Sequence, residues 1–543
     1  MSLRTVHQAF QRSATRAPLA EFLFTEAVTA RTYGIAPGPI FYEDAERQVQ
    51  FLRARYLAAG FGHGHRVGLM LENRPAFFFH WFALNSLGVS VVPISAEMRR
   101  AEWVYLIGHS QMCLAISLPE RCADLASAAS EAGVPFAAVS VDDSAEWPRA
   151  PLPAPAAATA VDADTECALL YTSGTTGRPK GCRLSNAYFL NCGRWYADVG
   201  GLCAVRPGRE RVITPLPLSH MNAMACSSMM AVLSGGCIVQ LDRFHPATWW
   251  QSVRESRASI VHYLGVMPAM LLSAAAGAED CRHEVQFGFG AGVDPAHHRM
   301  FEDRFGFALL EAWAMTETGA AATIIANREP RHVGAKCFGR PEDFMHTRLI
   351  DDAGLDVADG EPGELLVRSA AADPRRHFFS GYLKDEAATE EAWAGGWFHT
   401  GDVVRRDAQG NLYFVDRKKN VIRRSGENIS AVEVESVLNQ HPQVRASAVA
   451  ATPDPVRGDE VLACIVTRTP VPEGQRAAVA ADIVAHALRQ LAYFKAPGYV
   501  AFVDALPLTL SQKIQRASLR DMAMRLPTEA NCVDMRAMKK RQG

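Results

Sequence analysis

The chain has 543 residues, of which 48% are hydrophobic and 21% charged, the balance of a folded globular protein; this excludes a disordered chain, a collagen and a disulfide miniprotein. Lys and Arg number 56 against 58 Asp and Glu, a formal charge of −2, so there is no electrostatic case for nucleic acid or an anionic membrane as main partner. At about 150 residues per domain, length alone predicts three or four folding units.

The N-terminus lacks the apolar core of a signal peptide. Val6, Phe10 and Ala14 recur at helical spacing, so it reads as a surface helix. Residues 44–59 read as a helix with Val49, Leu52, Tyr56 and Ala59 on its apolar side, stopped by Gly60. Residues 66–71 read as a strand. The most apolar stretch, 75–93, is nearly long enough to span a bilayer. His80, Asn85, Ser86 and Gly88 interrupt it, so it parses as a buried helix over 75–87, a glycine stop and a strand over 89–92. No transmembrane segment is expected. This alternation predicts a parallel sheet with crossover helices.

The Ala/Pro-rich stretch 149–164 reads as an exposed connector. More strand–helix alternations fill 210–325. Residues 348–368 turn β-rich, with a turn at 351–354. Beyond about Asp416 the chain becomes a compact unit of strands and helices, including a helix over 482–491, so a domain boundary is placed there, giving units 1–416 and 417–543. Lys539, Lys540 and Arg541 read as a solvated tail. The 12 cysteines lack any Cys-x-x-Cys pair and read as unpaired, buried thiols of a reducing compartment.

The most informative string runs from Tyr171 to Gly181: Tyr-Thr-Ser-Gly-Thr-Thr-Gly-Arg-Pro-Lys-Gly. It follows an apolar, strand-like run. Small residues leave backbone N–H groups uncovered, able to converge on phosphate oxygens. Thr172, Ser173, Gly174, Thr175, Thr176 and Gly177 form this cradle, the hydroxyls adding donors, and Lys180 adds positive charge. The spacing is not that of a Walker A loop.

At this string the sequence resembles the adenylate-forming superfamily, which includes acyl- and aryl-CoA ligases. Other segments carry the same resemblance. Residues 288–292, with Gly290, Ala291 and Gly292, resemble the turn that walls the adenine pocket. In the segment 311–319, Trp313 stands where the family has Tyr or Phe, and a flat indole can stack on adenine. The resemblance implies that Thr316 contacts the nucleotide phosphates and that Glu317 helps hold Mg²⁺, which suits one carboxylate plus phosphate oxygens. Asp402, in the string 396–402, would accept hydrogen bonds from the ribose hydroxyls, and Arg417 would lie near ribose and phosphate. Lys419 falls at the family's hinge position, and Gly426 in the segment lining the pantetheine channel. Ser430 and Glu433 form a capping box that starts a helix over 431–438.

Lys513 matches the catalytic lysine that bridges substrate carboxylate and α-phosphate, although Gln512 replaces the usual glycine before it. The string 215–220 resembles the segment that ends near the acyl carboxylate. There His220 either orients the acid or is structural. Met221, Met224, Met229 and Met230 read chiefly as core filling. Residues 220–242, the stretch from Trp249 onward and residues 416–430 are most similar to the crotonobetaine/carnitine-CoA ligase branch.

The resemblance implies an α/β fold: a large N-terminal multi-sheet α/β domain and a small mobile C-terminal α+β domain. It implies a cytoplasmic ATP-dependent acid:CoA ligase acting through acyl-AMP, with ATP, Mg²⁺, coenzyme A and a small-molecule carboxylic acid as partners, and neither nucleic acid nor integral membrane contact. Oligomeric state stays open, a homodimer included. The alternatives are an adenylation enzyme that loads a carrier protein and a non-catalytic nucleotide-binding protein of the same fold.

Overall fold

The computed structural model describes residues 3–95, 98, 100–143, 146–151, 154–156, 158–172, 179–424, 427–454, 457–491, 493–508 and 513–539. The chain divides into two compact units. One comprises the described residues of 1–172, 179–347 and Val367–Phe398; the other comprises Arg348–Leu366 and the described residues from His399 onward.

Two largely parallel sheets organise the first unit. The eight-stranded sheet runs Ile324–Ile325, Ala308–Trp313, Phe287–Ala291, Ile260–Leu264, Arg211–Thr214, Cys237–Gln240, Glu21–Thr25 and Gly38–Phe41. Only its two edge strands pair antiparallel. The six-stranded sheet runs Ala137–Ser140, Leu114–Ser117, Arg66–Met70, Ser90–Pro93, Glu166–Thr172 and Lys180–Ser185, its last pair antiparallel. Their inner parallel strands are short apolar runs buried on both faces, as parallel sheets require.

The apolar stretch at 75–93 folds as the helix Pro75–Asn85 and the strand Ser90–Pro93. Two of the polar residues that interrupt it, His80 and Asn85, are buried and partnered. His80 Nδ1 meets the Tyr56 hydroxyl at 2.8 Å. Asn85 accepts the His7 N–H and donates to Asn186. These bonds dock the N-terminal helix Val6–Arg16, whose Phe10 stacks on Phe82 at 4.5 Å.

The Ala/Pro-rich stretch is largely exposed, as expected of a connector, but it is tied down by backbone hydrogen bonds. Ala150 N–H donates to Ala59 O at 2.8 Å, Ala156 N–H to His63 O at 2.9 Å, and His65 meets Pro151 O at 2.7 Å. Proline leaves carbonyls available as acceptors, and the neighbouring loop uses one. The cysteines are all unpaired and most are buried. Among the described residues no helix is long and apolar enough to cross a membrane.

In the second unit Glu427–Ser430, Val421–Arg424, Gly458–Thr467, Tyr499–Phe502 and Cys532–Asp534 form a sheet, with Val444–Asp454 also pairing to Gly458–Thr467. Helices Ala431–Leu438 and Arg476–Gln490 contribute Val434, Leu438, Ile483 and Val484 to its core. Ser430 caps the first helix, accepting from Glu433 N–H at 3.1 Å. The reciprocal half of the expected box is diverted, because the Glu433 carboxylate binds Lys495 Nζ at 2.7 Å.

The expected solvated tail is corrected at Lys539, whose side chain is fully buried against the equally buried Glu460. Glu460 also receives Arg424 at 2.9 Å. The carboxylate supplies the pairing that a buried ammonium needs. Lys540 and Arg541 lie outside the described residues.

Candidate active site

In open α/β sheets ligands bind beyond the carboxyl ends of the parallel strands. Four adjacent strands of the eight-stranded sheet end where the sequence placed candidate residues. Arg211–Thr214 leads into 215–220, Ile260–Leu264 into Gly265, Phe287–Ala291 into Gly292, and Ala308–Trp313 into Thr316 and Glu317. Sequence-distant segments thus share one sheet edge.

The first of these loops is anchored from beneath. Asn73 accepts Leu218 N–H at 3.0 Å and donates to Leu241 O at 2.7 Å, and Gln240 donates to Leu216 O at 2.8 Å. His220, at the loop's end, is exposed, and its carbonyl accepts Met224 N–H. Met224, Met229 and Met230 are wholly buried, as core filling requires.

The Gly290–Gly292 turn is built for close approach. A Cβ on Gly290 would lie 2.3 Å from Tyr263 O, and one on Gly265 would lie 1.7 Å from Gly292 O. Glu311 clamps the turn from the next strand, accepting Gly292 N–H at 2.8 Å and Val293 N–H at 3.0 Å. Burial raises the Glu311 pKa above the usual carboxylate value.

Trp313 is buried, its ring 6.2 Å from Phe338. Thr316 is half-buried, and its carbonyl accepts the Tyr188 hydroxyl at 2.9 Å. Glu317 is 6% exposed. The Tyr382 hydroxyl donates to its Oε1 at 2.9 Å. The face of the same Tyr382 ring lies 4.7 Å from Lys180 Nζ, which is 4.0 Å from Asp385. Tyr382 therefore joins Lys180, on the six-stranded sheet, to Glu317, beyond the eight-stranded one. Burial, and then the Glu317 carboxylate, hold the adjacent Cys182 thiol well above its usual pKa. Thr172 faces Lys180 across the antiparallel pair, so the strands on either side of the glycine-rich string are in place. Ser173, Gly174, Thr175, Thr176 and Gly177 lie outside the described residues.

A second group sits in the other unit. Asp402 and Arg417 are direct cross-strand neighbours, and Arg417 Nε lies 2.6 Å from the fully buried Asp402 carboxylate. Two groups expected to meet the ribose separately are thus paired with each other. Although Lys513 as a residue is exposed, desolvation around its ammonium and, second, the Arg417 guanidinium lower its pKa from the usual lysine value. Lys419 lies in the short 3-10 turn Lys418–Asn420; its side chain, like Gly426, falls outside the described residues. Asp416 accepts from Arg417 N–H at 2.7 Å and Ser430 Oγ at 3.0 Å, which ties the turn's entry to the following helix.

Residues 26–383 match the AMP-binding enzyme family, and residues 433–513 match the AMP-binding enzyme C-terminal domain. The chain belongs to the AMP-binding enzyme family. It is 32% identical over 484 residues to a sulfoacetate–CoA ligase of Cupriavidus necator, covering 86% of this chain and 89% of the relative. It is 28% identical over 500 residues to a crotonobetaine/carnitine–CoA ligase of Escherichia coli, covering 88% and 92%. The resemblance to that branch holds, beside a relative named for a different acid. The fold matches an anthranilate CoA ligase solved with anthranoyl-AMP, with a TM-score of 0.81, 20% identity and 97% and 99% of the two chains covered. It also matches ATP-bound MatB of Rhodopseudomonas palustris, with a TM-score of 0.77, 22% identity and 95% and 98% covered.

Sequence reasoning named the family's motif residues and missed those that hold them. Glu311 carried a signal, an acidic residue in an otherwise apolar strand. Tyr382 carried none, since Glu317 and Lys180 are more than sixty residues away from it along the chain.

Proposed function

We propose that this AMP-binding enzyme is an ATP-dependent carboxylic acid:CoA ligase. The acid's carboxylate attacks the α-phosphorus of ATP, pyrophosphate leaves, and an acyl-adenylate forms. The CoA thiol then attacks the acyl carbon, giving the thioester and AMP. The observation that carries this reading is the Lys180–Tyr382–Glu317 cluster, with Lys180 opening the strand that follows the glycine-rich string in the sequence. An ammonium and a carboxylate brought to one tyrosine suit a triphosphate and its counter-ion, which supports the reading. Mg²⁺, when bound, neutralises phosphate charge, and Glu317 would hold it together with phosphate oxygens.

Thr172 to Gly177 and Lys180 cradle the phosphates, Thr316 contacts them, and Gly290 to Gly292 with Trp313 bound the adenine. Asp402 and Arg417 serve the ribose, which requires their mutual pair to open toward the nucleotide. Lys513 supplies positive charge where two anions are brought together, stabilising the transition state more than the ground state. His220 faces the acid. A mobile C-terminal domain, residues 417–543, turns about Lys419 between the two half-reactions, and Gly426 borders the path of the CoA arm. Unpaired thiols support a cytoplasmic setting.

A panel of carboxylic acids assayed for pyrophosphate release, with and without CoA, tests the reading; acid-dependent release and a CoA-dependent acyl thioester are expected. A thioester formed only on a phosphopantetheinyl carrier protein would make the chain a carrier-loading enzyme. Lys513→Ala separates the steps. ATP–pyrophosphate exchange falls by about 2.7–4 kcal/mol of barrier, roughly 100- to 1000-fold, while thioester formation from supplied acyl-adenylate persists. Normal exchange in that variant would remove Lys513 from the chemistry.

A further inference from the structure

One buried polar relay links the helix Asn186–Asp198, the strand Ile260–Leu264 and the start of the π-helix Asn222–Ser227. Tyr196 and His262 are completely buried. The Tyr196 hydroxyl lies 2.9 Å from His262 Nε2, and His262 Nδ1 lies 2.7 Å from Asn222 Oδ1. Phe289 stacks on both rings, at 4.5 and 4.9 Å. This packing fixes their planes.

The direction of the relay follows from its buried end. His262 is the hydrogen-bond partner found for the Tyr196 hydroxyl among the described residues. A buried O–H left without an acceptor is costly, so the hydroxyl proton goes to Nε2. The ring's own proton is then on Nδ1, donated to Asn222 Oδ1. Burial keeps His262 neutral, with its pKa pushed down to about 3. With Oδ1 turned inward, the Asn222 carboxamide must present its N–H₂ on the other side.

Of the three relay residues only Asn222 is not fully buried. Asn222 is half-buried and begins the π-helix Asn222–Ser227 two residues after the exposed His220. Ser227 and Ser228 hydroxyls bind the Ala223 carbonyl at 3.0 and 2.6 Å. Such back-bonding competes with regular α-helical bonds and supports the wider turn, a feature frequent at functional sites. The strand carrying His262 runs between the one that leads to 215–220 and the one that leads to Gly292, so the relay places Asn222 between the two.

We propose that Asn222 is a specificity-determining residue, and that its oriented N–H₂ selects carboxylic acids bearing a second hydrogen-bond-accepting oxygen: a hydroxyl, carbonyl, carboxylate or sulfonate. This rests on the ligase reading above. A purely hydrocarbon acid covering the amide would leave its N–H₂ unpaired, and a site built to donate a hydrogen bond rejects the analogue that cannot accept one. Tyr196 and His262 are positioning residues that act through Asn222.

The test compares straight-chain acids with their matched hydroxy, keto, carboxylate and sulfonate derivatives by pyrophosphate release, in the parent and in Asn222→Asp. That variant keeps volume and the acceptor facing His262 but presents a carboxylate oxygen where the donor stood. The parent should prefer an oxygen-bearing acid by at least about tenfold in kcat/KM. In Asn222→Asp the preference should collapse, chiefly through a higher KM for the oxygen-bearing acid, whose loss in kcat/KM should exceed that of the matched hydrocarbon acid by about tenfold. Tyr196→Phe, which frees the relay, should lower the preference in the same direction with unchanged kcat. Equal losses for both acid types, or an unaltered preference, would overturn the assignment while leaving the ligase reading intact. Absence of acid-dependent pyrophosphate release in the parent would overturn both. Thermal unfolding and ATP-analogue binding report whether each variant is folded.

Discussion

Tyr382 shows how one side chain can organise charged groups that the sequence lists far apart. Its hydroxyl fixes the Glu317 carboxylate and its ring face meets the Lys180 ammonium. Both contacts follow from the ring's chemistry, a polar tip on a negative face. Tyr382→Phe removes the first and keeps the second. A hydrogen bond to a carboxylate contributes about 1.5–3 kcal/mol, so kcat/KM for MgATP should fall about 10- to 100-fold, and the Mg²⁺ concentration needed for half-maximal rate should rise. An unchanged Mg²⁺ dependence would mean that the hydroxyl has only a packing role. Glu317 was legible in the sequence because its neighbours form a motif. Tyr382 was not, because no local pattern marks a residue whose partners come from two other sheets.

At the scale of elements, the buried strand ends of the second unit carry an unbalanced charge cluster. Arg424 and Lys539 share one carboxylate, Glu460, and all three side chains are essentially without solvent contact. Burial, only partly offset by Glu460, depresses the Lys539 pKa to about 8. Removing the shared carboxylate strands two cations, so Glu460→Gln should destabilise the fold by about 3–5 kcal/mol. Lys539→Met leaves a balanced Arg424–Glu460 pair and should stay within about 1 kcal/mol of the parent. Urea unfolding measures both, and equal destabilisation would argue against the charge count. The cluster also secures the strand Val421–Arg424, which leads into the segment carrying Gly426. Reading Lys539 as solvated failed here because three basic residues at a chain end look alike until a buried acid is placed beside one of them.

For the molecule as a whole, burial of neutral histidines makes stability depend on pH. His7 is depressed to about 4, and His80 and His262 to about 3, in each case chiefly by burial. Their unfolded values are about 6.5. The folded state therefore binds fewer protons, and the stability it gains is present above that value and lost as pH falls toward the folded values. Each histidine contributes up to about 1.4 kcal/mol per pH unit, about 4 for the three together between roughly pH 6 and 4. The urea midpoint should drop clearly from pH 7 to pH 5, and an unchanged midpoint would show that these rings are not neutral and buried.

The sequence by itself determined the alternation of strands and helices, the presence of the glycine- and threonine-rich string, the family and the identity of the motif residues. These depend on local spacing: apolar runs at strand length, small residues where backbone must be uncovered, and a cap before a helix. Tertiary structure alone decided which strand ends share an edge, that Glu311 clamps the Gly290–Gly292 turn, that Asp402 and Arg417 face each other, and that a buried Tyr196–His262 relay aims Asn222. Each of these is a contact between residues far apart in the chain. A linear sequence holds no record of how closely such groups approach or how deeply they are buried, and those two quantities set both their charge states and the direction of their hydrogen bonds.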